Sequence, residues 1–521
     1  MDFVSTLPIM EGVSGFHYSF YFYVILFLTI AIVVSANFSA IRRFITGDAL
    51  PGISCLPGLP IVGCLFDFLW SSIPDMVDKL INIAGKDGVA YFWAGPSIVV
   101  QLSDLSLVKD LLSKPDELAA RETPGVWTPF ATFHRVLGGA TPFTYTGRKS
   151  REARRHILAA YATPQALSEL FDFVLPFADK HVKRLSASYS ADDDKSLRQY
   201  VELYTADLWG ELFYGAQEGQ AEIVKIIPAI DALFEQFSNP ASNLRHAIWS
   251  IIKHLGYSRT PDYKITRQFQ TMLTQRLNSM IANGRLASSY LWKLSPETHA
   301  TNPGGLSDLA VDIARFNIVG GVQGFRQVIP WVILELCRNP DLYRRVHEEL
   351  KELCPSSDVE GISFEDFQSH TPVLDAVINE VLRLYPPVHL TARATMKDLT
   401  MTTPTGKTFT IPPGVIVYFS IYHLHTSEAL WAADAKEFNP ERFLKIKDSG
   451  ESLEGRFMPF GYGPRSCPGF KFAPLTIKIY LVLLLRRYHI ELRDLATDIT
   501  RDGPLLEASE NKFRFTLRPY V

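Results

Sequence analysis

A single cysteine in a glycine-punctuated loop near the C-terminus places the tightest limit on how this chain can fold. The run Phe460-Gly-Tyr-Gly463-Pro-Arg465-Ser-Cys467-Pro-Gly469 sets Cys467 two residues after an arginine and just ahead of an apolar, helix-like stretch from Phe470 to Tyr488. A thiolate there faces the first N–H groups of that helix, whose partial positive charge stabilises an anion. The glycines let the backbone pass close to a flat ligand without side-chain clash. These are the needs of a cysteine that ligates haem iron from one face. A buried structural thiol in a turn is the plainer reading of any lone cysteine.

Phe460, Gly463, Arg465 and Gly469 fill every fixed position of the spacing Phe-x-x-Gly-x-Arg-x-Cys-x-Gly. That spacing resembles the haem-binding signature of the cytochrome P450 (haem-thiolate) family. The resemblance implies a mainly α fold with small β-sheets, one large helical domain burying haem b (iron protoporphyrin). Cys467 would then be the axial ligand of the haem iron.

Glu380 and Arg383, in Ala-Val-Ile-Asn-Glu380-Val-Leu-Arg383-Leu-Tyr-Pro-Pro, share one helix face at i,i+3 spacing. Phe438-Asn-Pro-Glu-Arg442-Phe443 can bring a second guanidinium. The order of these motifs ahead of the cysteine loop matches the family, and it implies that Glu380, Arg383 and Arg442 are structural supports of the haem site rather than catalysts. The haem propionates need cations, and Arg465, Arg393 and Arg154 are the candidates. Arg154 stands at the arginine of the family's Trp-x-x-x-Arg element, with Ser150 in the tryptophan position. The cluster Arg148, Lys149, Arg151, Arg154 and Arg155 reads as a solvated helix face, which by resemblance could help dock an acidic reductase.

The main departure lies in the expected long helix Ser307–Cys337. Counting back from Leu336-Cys-Arg-Asn-Pro340, the family's oxygen-side segment falls on Gly320-Gly321-Val322-Gln323-Gly324. Gly320 and Gly321 are expected to leave room over the haem. Gln323 replaces the usual acid and Gly324 the usual hydroxyl. Glutamine can hydrogen-bond or orient water, but it supplies no ionisable proton at neutral pH. Gly321, Gln323 and Gly324 are therefore the candidate catalytic positions.

Of the 521 residues 47% are hydrophobic and 21% charged, and the net charge of −3 is too near balance to suggest nucleic acid. Five scattered cysteines (Cys55, Cys64, Cys337, Cys354, Cys467) give neither a disulfide framework nor a zinc pattern. From Gly12 to Ile41 no Asp, Glu, Lys or Arg occurs, and Phe16–Ala36 is almost wholly apolar and aromatic. About twenty such residues span a hydrocarbon core as a helix. Arg42 and Arg43 follow it, whereas Asp2 and Glu11 precede it, so the bulk of the chain is placed on the cytosolic side. Residues 1–43 are expected to form a luminal tail and transmembrane anchor, 44–64 a proline-rich hinge, and 65–521 the catalytic domain on the cytosolic face of the endoplasmic reticulum.

Beyond these, Val89–Trp93 and Ser97–Leu102 read as a hairpin. Helices are expected over Gln165–Ser186, Leu197–Phe213, Pro340–Leu353 and Thr371–Leu384, and short strands over Thr408–Ile411, Val415–Phe419 and Lys512–Leu517. Substrate-lining candidates are the stretches 125–146, 321–325, 388–392 and 505–511, whose aromatics (Trp127, Phe130, Phe133, Phe325) suit a lipophilic ligand.

The resemblance implies a membrane-anchored monooxygenase, similar to microsomal members of fungal biosynthetic pathways. It would use dioxygen as co-substrate and NADPH electrons delivered by a cytochrome P450 reductase, with cytochrome b5 as a possible second donor. An isomerase or dehydratase of the same fold, acting on an oxygenated substrate without reductase, is the alternative that Gln323-Gly324 suggests. A haem-binding sensor or carrier is the non-enzymatic one.

Overall fold

The computed structural model describes residues 49–58, 64, 73–94, 97–121, 141–188, 196–214, 307–355, 361–493, 495, 499–502, 505–508 and 514–520, with isolated positions between 267 and 290. The expected anchor lies outside the described residues, as do 44–48 and 59–63 of the hinge; within the rest of the hinge Ser54–Cys55 pairs as a strand with Ala90 and Tyr91. Among the described residues, no helix is long and apolar enough to cross a membrane.

Six helices frame the region of interest: α1 (Gly147–Tyr161), α2 (Pro164–Ser188), α3 (Leu197–Tyr214), α4 (Asp308–Arg338), α5 (Pro372–Leu384) and α6 (Phe472–Arg487). Helix α4 starts where Ser307 accepts a hydrogen bond from the Ala310 N–H, satisfying one of the amides that every helix start leaves free. Helix α6 is buried on nearly its whole circumference, from Leu475 to Arg486, which explains why its sequence reads as continuously apolar rather than two-faced. It packs on α2 and α4, and Tyr480 stacks on Tyr204 of α3 with ring centroids 4.1 Å apart.

Strands β1 (Ser54–Cys55), β2 (Val89–Ala94), β3 (Ser97–Leu102), β4 (Ala119–Ala120), β5 (Leu390–Thr395) and β8 (Ile416–Ser420) form one sheet in the order β1-β2-β3-β8-β5-β4. The expected hairpin is present, β2 pairing antiparallel with β3. Three two-stranded sheets follow: β6 (Leu399–Thr402) with β7 (Thr408–Ile411), β9 (Tyr488–Leu492) with β12 (Phe515–Pro519), and β10 (Ile499–Asp502) with β11 (Leu505–Ala508).

Element boundaries move by at most three residues from the sequence expectations, and Pro340–Leu353 and Thr408–Ile411 do not move. Tyr488 caps α6 in extended geometry, its N–H donating to the Leu484 carbonyl, and opens β9, which pairs with β12. The last strand runs Phe515–Pro519, later than expected. The mainly helical architecture with small sheets is as the sequence implied.

Candidate haem site

Local backbone geometry explains the loop's glycines. Gly463 has φ +72°, and a Cβ there would overlap the Leu112 carbonyl at the end of the Leu105–Ser113 helix, so only glycine allows that approach. The Cys467 N–H donates to the Phe460 carbonyl at 2.7 Å and closes the loop on itself. A Cβ on Gly469 would sit 3.7 Å from Cys467 Sγ, so the bare backbone of Gly469 lies against the sulfur. Cys467 is accessible, although enough protein surrounds it for burial to push its thiol pKa up. The Gly469 amide and the guanidiniums of Arg121 and Arg154 oppose that shift. Burial outweighs them, so the sulfur lies open on one side of an enclosed setting in which the amide and the two guanidiniums only partly offset the cost of a thiolate.

Positive charge collects around this loop. Arg121 donates to the Arg465 carbonyl at 2.8 Å and to the Phe143 carbonyl at 3.4 Å, and its guanidinium lies 4.1 Å from the Phe143 ring centre. Burial, then the charges of Arg393 and Arg465, hold its pKa well below the usual guanidinium range. Arg393, on β5, is pulled down to about 10 by burial first and Arg465 second. Arg465 donates to the Ser150 hydroxyl and the Tyr145 carbonyl. Its Nε stands 3.1 Å from Asp116 Oδ1, an ion pair without hydrogen-bond alignment. Arg154 donates to both the carbonyl and the hydroxyl of Ser466.

Asp116 is the carboxylate that offsets Arg121, Arg393 and Arg465. Arginine stays charged in proteins, so among the described residues three enclosed guanidiniums against one carboxylate leave a demand for further anion. Buried Arg121 Nε has no hydrogen-bond partner among the described residues. A ligand with two carboxylates, bound with its metal towards a thiolate, fits this donor set.

Arg121 was not a sequence candidate. It lies 344 positions before Arg465, and no local spacing marks it. Ser150 in the tryptophan position is small and polar, and Arg465 uses it as an acceptor. Within the basic run of α1, Arg148 pairs with Glu152 and Arg151 with Glu117, both at the surface, so a solvated face is the right description for those two. Arg154 departs from it by reaching the cysteine loop.

Glu380, Arg383 and Arg442 meet as a buried triad. Arg383 grips Glu380 with two parallel bonds, Nε to Oε2 and Nη2 to Oε1, each 2.7 Å. Glu380 Oε1 also accepts from Arg442 Nε at 3.0 Å and from the Asn439 N–H at 2.8 Å. Arg383 further donates to the carbonyls of His425, Ala435 and Glu437. The connection to the cysteine loop runs through His425, which was not a sequence candidate. Its Nδ1 pairs with the Arg383 carbonyl at 3.1 Å and its Nε2 with the Met458 N–H at 2.9 Å. An N–H donor at Met458 requires Nε2 to be the acceptor, so the ring is neutral with its proton on Nδ1.

Burial lowers the His425 pKa to about 3. The unfolded chain, near 6.5, takes up the proton more readily, so this contribution is complete above about pH 6.5 and is lost as pH falls towards 3. The loss is on the order of 4–5 kcal/mol at full protonation, at about 1.4 kcal/mol per unit. His425→Gln, which keeps a donor and an acceptor, should therefore be less acid-sensitive between pH 6 and 4 than the parent chain in chemical denaturation.

The oxygen-side helix corrects one expectation. Gly320 and Gly321 were expected to open the same space, but a Cβ on Gly321 would overlap the Trp209 indole of α3. Neighbouring helix positions are about 100° apart around the axis, so the two glycines serve different faces. Gly320 is exposed, and a Cβ on Gly324 would touch nothing within 4 Å. Positions i and i+4 share a face, so the side of α4 that is open at Gly324 is bounded at Gly320 by the Phe316 ring, which a Cβ there would meet at 3.3 Å. One turn earlier on α4, Phe316 stacks on Phe143 at 5.0 Å, and Phe143 carries Arg121, so the helix adjoins the arginine cluster. Gln323 lies on α4 between these positions, and its side chain is outside the described residues.

Phe325, expected to line a substrate space, is 2% exposed and packs edge-on against Trp209 at 6.2 Å, so it belongs to the core. Trp127, Phe130 and Phe133 lie outside the described residues, as do positions 509–511. In the stretch 388–392 Val388 is exposed and His389 is buried.

These glycines give a paired prediction. Gly321→Ala should lose about 1–3 kcal/mol by overpacking against Trp209, whereas Gly324→Ala should be neutral or gain up to about 1 kcal/mol in helix propensity. Thermal denaturation of the two variants side by side checks it.

A cytochrome P450 family model matches residues 54–515. The chain belongs to the cytochrome P450 family. Relatives of this P450 include cytokinin hydroxylase of Arabidopsis thaliana, 34% identical over 80% of this chain and 78% of that protein. Secologanin synthase 1 of Catharanthus roseus is 23% identical over 80% and 78%. A fungal relative, cytochrome P450 monooxygenase 128 of Postia placenta, is 28% identical over 53% and 57%. As a family member the chain is a haem-thiolate monooxygenase, using dioxygen and electrons from a redox partner to act on small molecules.

Proposed function

We propose that Cys467 is the axial thiolate ligand of haem b, and that Arg121, Arg393, Arg465 and Arg154 receive its propionates. The observation that carries this reading is the surplus of buried guanidinium charge directly beside an accessible thiol held by the Gly469 amide. The haem, when bound, supplies dioxygen activation, and a thiolate favours O–O cleavage. The chain's own residues hold and orient. Glu380, Arg383, Arg442 and His425 fix the Met458 end of the cysteine loop, and Phe460 and Gly463 shape its path. Gly324 leaves α4 bare at one turn, so that water or a substrate group would reach the reacting oxygen side there.

The substrate is proposed to be a lipophilic small molecule, a secondary-metabolite intermediate. Two relatives named for small-molecule chemistry support the small-molecule part. Electrons are proposed to come from NADPH through a P450 reductase, with cytochrome b5 as a second donor. An open groove of about 630 Å³ runs beside the cysteine loop, lined by Arg154, Phe460, Tyr462 and Phe470. With basic Lys149 and Arg155 nearby in sequence, it suits an acidic partner. Residues 1–43 are proposed as the anchor in the endoplasmic reticulum membrane, 44–64 as hinge and 65–521 as the cytosolic catalytic domain. The uncharged run 12–41 followed by Arg42 and Arg43 supports that division.

A second reading, rearrangement of an already oxygenated substrate, is favoured by Gly324, which offers no hydroxyl to a proton relay. Candidate lipophilic intermediates supplied with NADPH, reductase and isotopically labelled dioxygen separate the two. Label in the product, and none formed without reductase, is the expected result. Unlabelled product at an unchanged rate without reductant would establish the second reading instead.

A further inference from the structure

Gln327 is a buried polar residue for which neither the family pattern nor the packing gives a use. It is 5% exposed, and neither its amide oxygen nor its amide nitrogen has a hydrogen-bond partner among the described residues. Each orphaned group is costly unless water or a ligand satisfies it. Helix geometry says where such a partner would stand. Gly320, Gly324, Gln327 and Trp331 follow the spacing i, i+4, i+7, i+11, so they line one face of α4.

That stripe is bare at Gly324, where a Cβ meets nothing, and Gly320 one turn earlier is exposed with the Phe316 ring beside it. Its C-terminal end is sealed, because Trp331 lies flat on Tyr385 with centroids 4.0 Å apart and planes within 8°. Gln327 thus sits at the closed end of an open strip, one turn from the position that lacks a hydroxyl. The carbonyls of the glycine-bared turns each keep a second lone pair, and a buried water needs two to four polar partners. An amide with a free acceptor and a free donor, beside such carbonyls, meets that requirement.

We propose that Gln327 is a positioning residue whose side-chain amide anchors water in the space beside Gly324, where that water takes the place of the missing hydroxyl. This rests on the haem-site reading above and identifies the chain's own source of a hydrogen-bond donor on the oxygen side. It also separates the chain from a dry, relay-free site: the strip is wet because Gln327 makes it so.

The test uses the full-length, haem-loaded protein and carbon monoxide as the probe. The C–O stretching band of the reduced complex responds to hydrogen-bond donors beside the ligand. In the parent protein this band should shift on transfer to heavy water. Gln327→Met, close in volume, should keep haem content while shifting the band and losing the heavy-water response. Gln327→Glu, which retains an acceptor at the same reach, should keep that response. An identical band and heavy-water response in haem-loaded Gln327→Met would overturn the proposal. Should that variant load no haem, Gly324→Thr decides: replacing the water with a hydroxyl must move the band, and an unmoved band overturns the proposal equally. A parent protein without the thiolate-type reduced carbon-monoxide spectrum would overturn the haem-site reading itself, so the two failures are distinguishable.

Discussion

Glu380→Gln lowers the stability of this P450 by about 3–5 kcal/mol, a large part of the roughly 5–15 kcal/mol that holds a typical domain folded. The size follows from what the change leaves behind. Glu380 and Arg383 are fully buried, and the carboxylate accepts four hydrogen bonds, three on Oε1 and one on Oε2. A neutral amide keeps one acceptor oxygen, turns its NH2 group towards a donor and leaves the buried Arg383 without its anionic partner, held otherwise by backbone carbonyls. Arg442→Lys should cost less, on the order of 1 kcal/mol. That site is 10% exposed, and Asp434 is a second carboxylate for the retained charge. The triad reaches the cysteine loop through His425 and Met458, so haem retained per folded chain should fall with stability. Urea denaturation of both variants, with Soret absorbance per protein, checks the order. Equal stability of Glu380→Gln and the parent would remove the triad from the account.

The parts of the site that were legible in the sequence are those whose partners sit at fixed short spacing. The ten residues Phe460–Gly469 specify their own loop, since a backbone bond closes it and Gly463 needs positive φ. Glu380 and Arg383 pair because i,i+3 residues on a helix are neighbours. What escaped the sequence depends on elements meeting across the fold. Arg121 acquires its place only when the end of β4 is carried to the loop holding Arg465. Trp209 and Gly321 are likewise brought together by the crossing of α3 and α4, so glycines adjacent in sequence were assigned one purpose although the helix turns them to different faces. Gln327 carried no signal at all, because an orphaned amide is a property of its surroundings and not of its own spacing.

Cys467→Ala should abolish the thiolate signature and, with it, monooxygenase turnover, while Cys337→Ala or Cys354→Ala leaves both intact. Those two thiols are pushed up to about 11, chiefly by burial, and stay protonated near neutral pH. Burial pushes the Cys467 thiol up as well, but there the Gly469 amide and two arginines oppose it at an exposed sulfur. A positioned thiolate is the electronic feature for which nothing else in the chain substitutes, so the expected loss is total rather than graded.

The reduced carbon-monoxide difference spectrum of the purified, haem-loaded parent chain and of Cys467→Ala is the most direct measurement. A red-shifted, thiolate-type Soret band in the parent, absent from the alanine variant at comparable haem content, is the predicted result. The same band in both proteins would contradict Cys467 as the ligand.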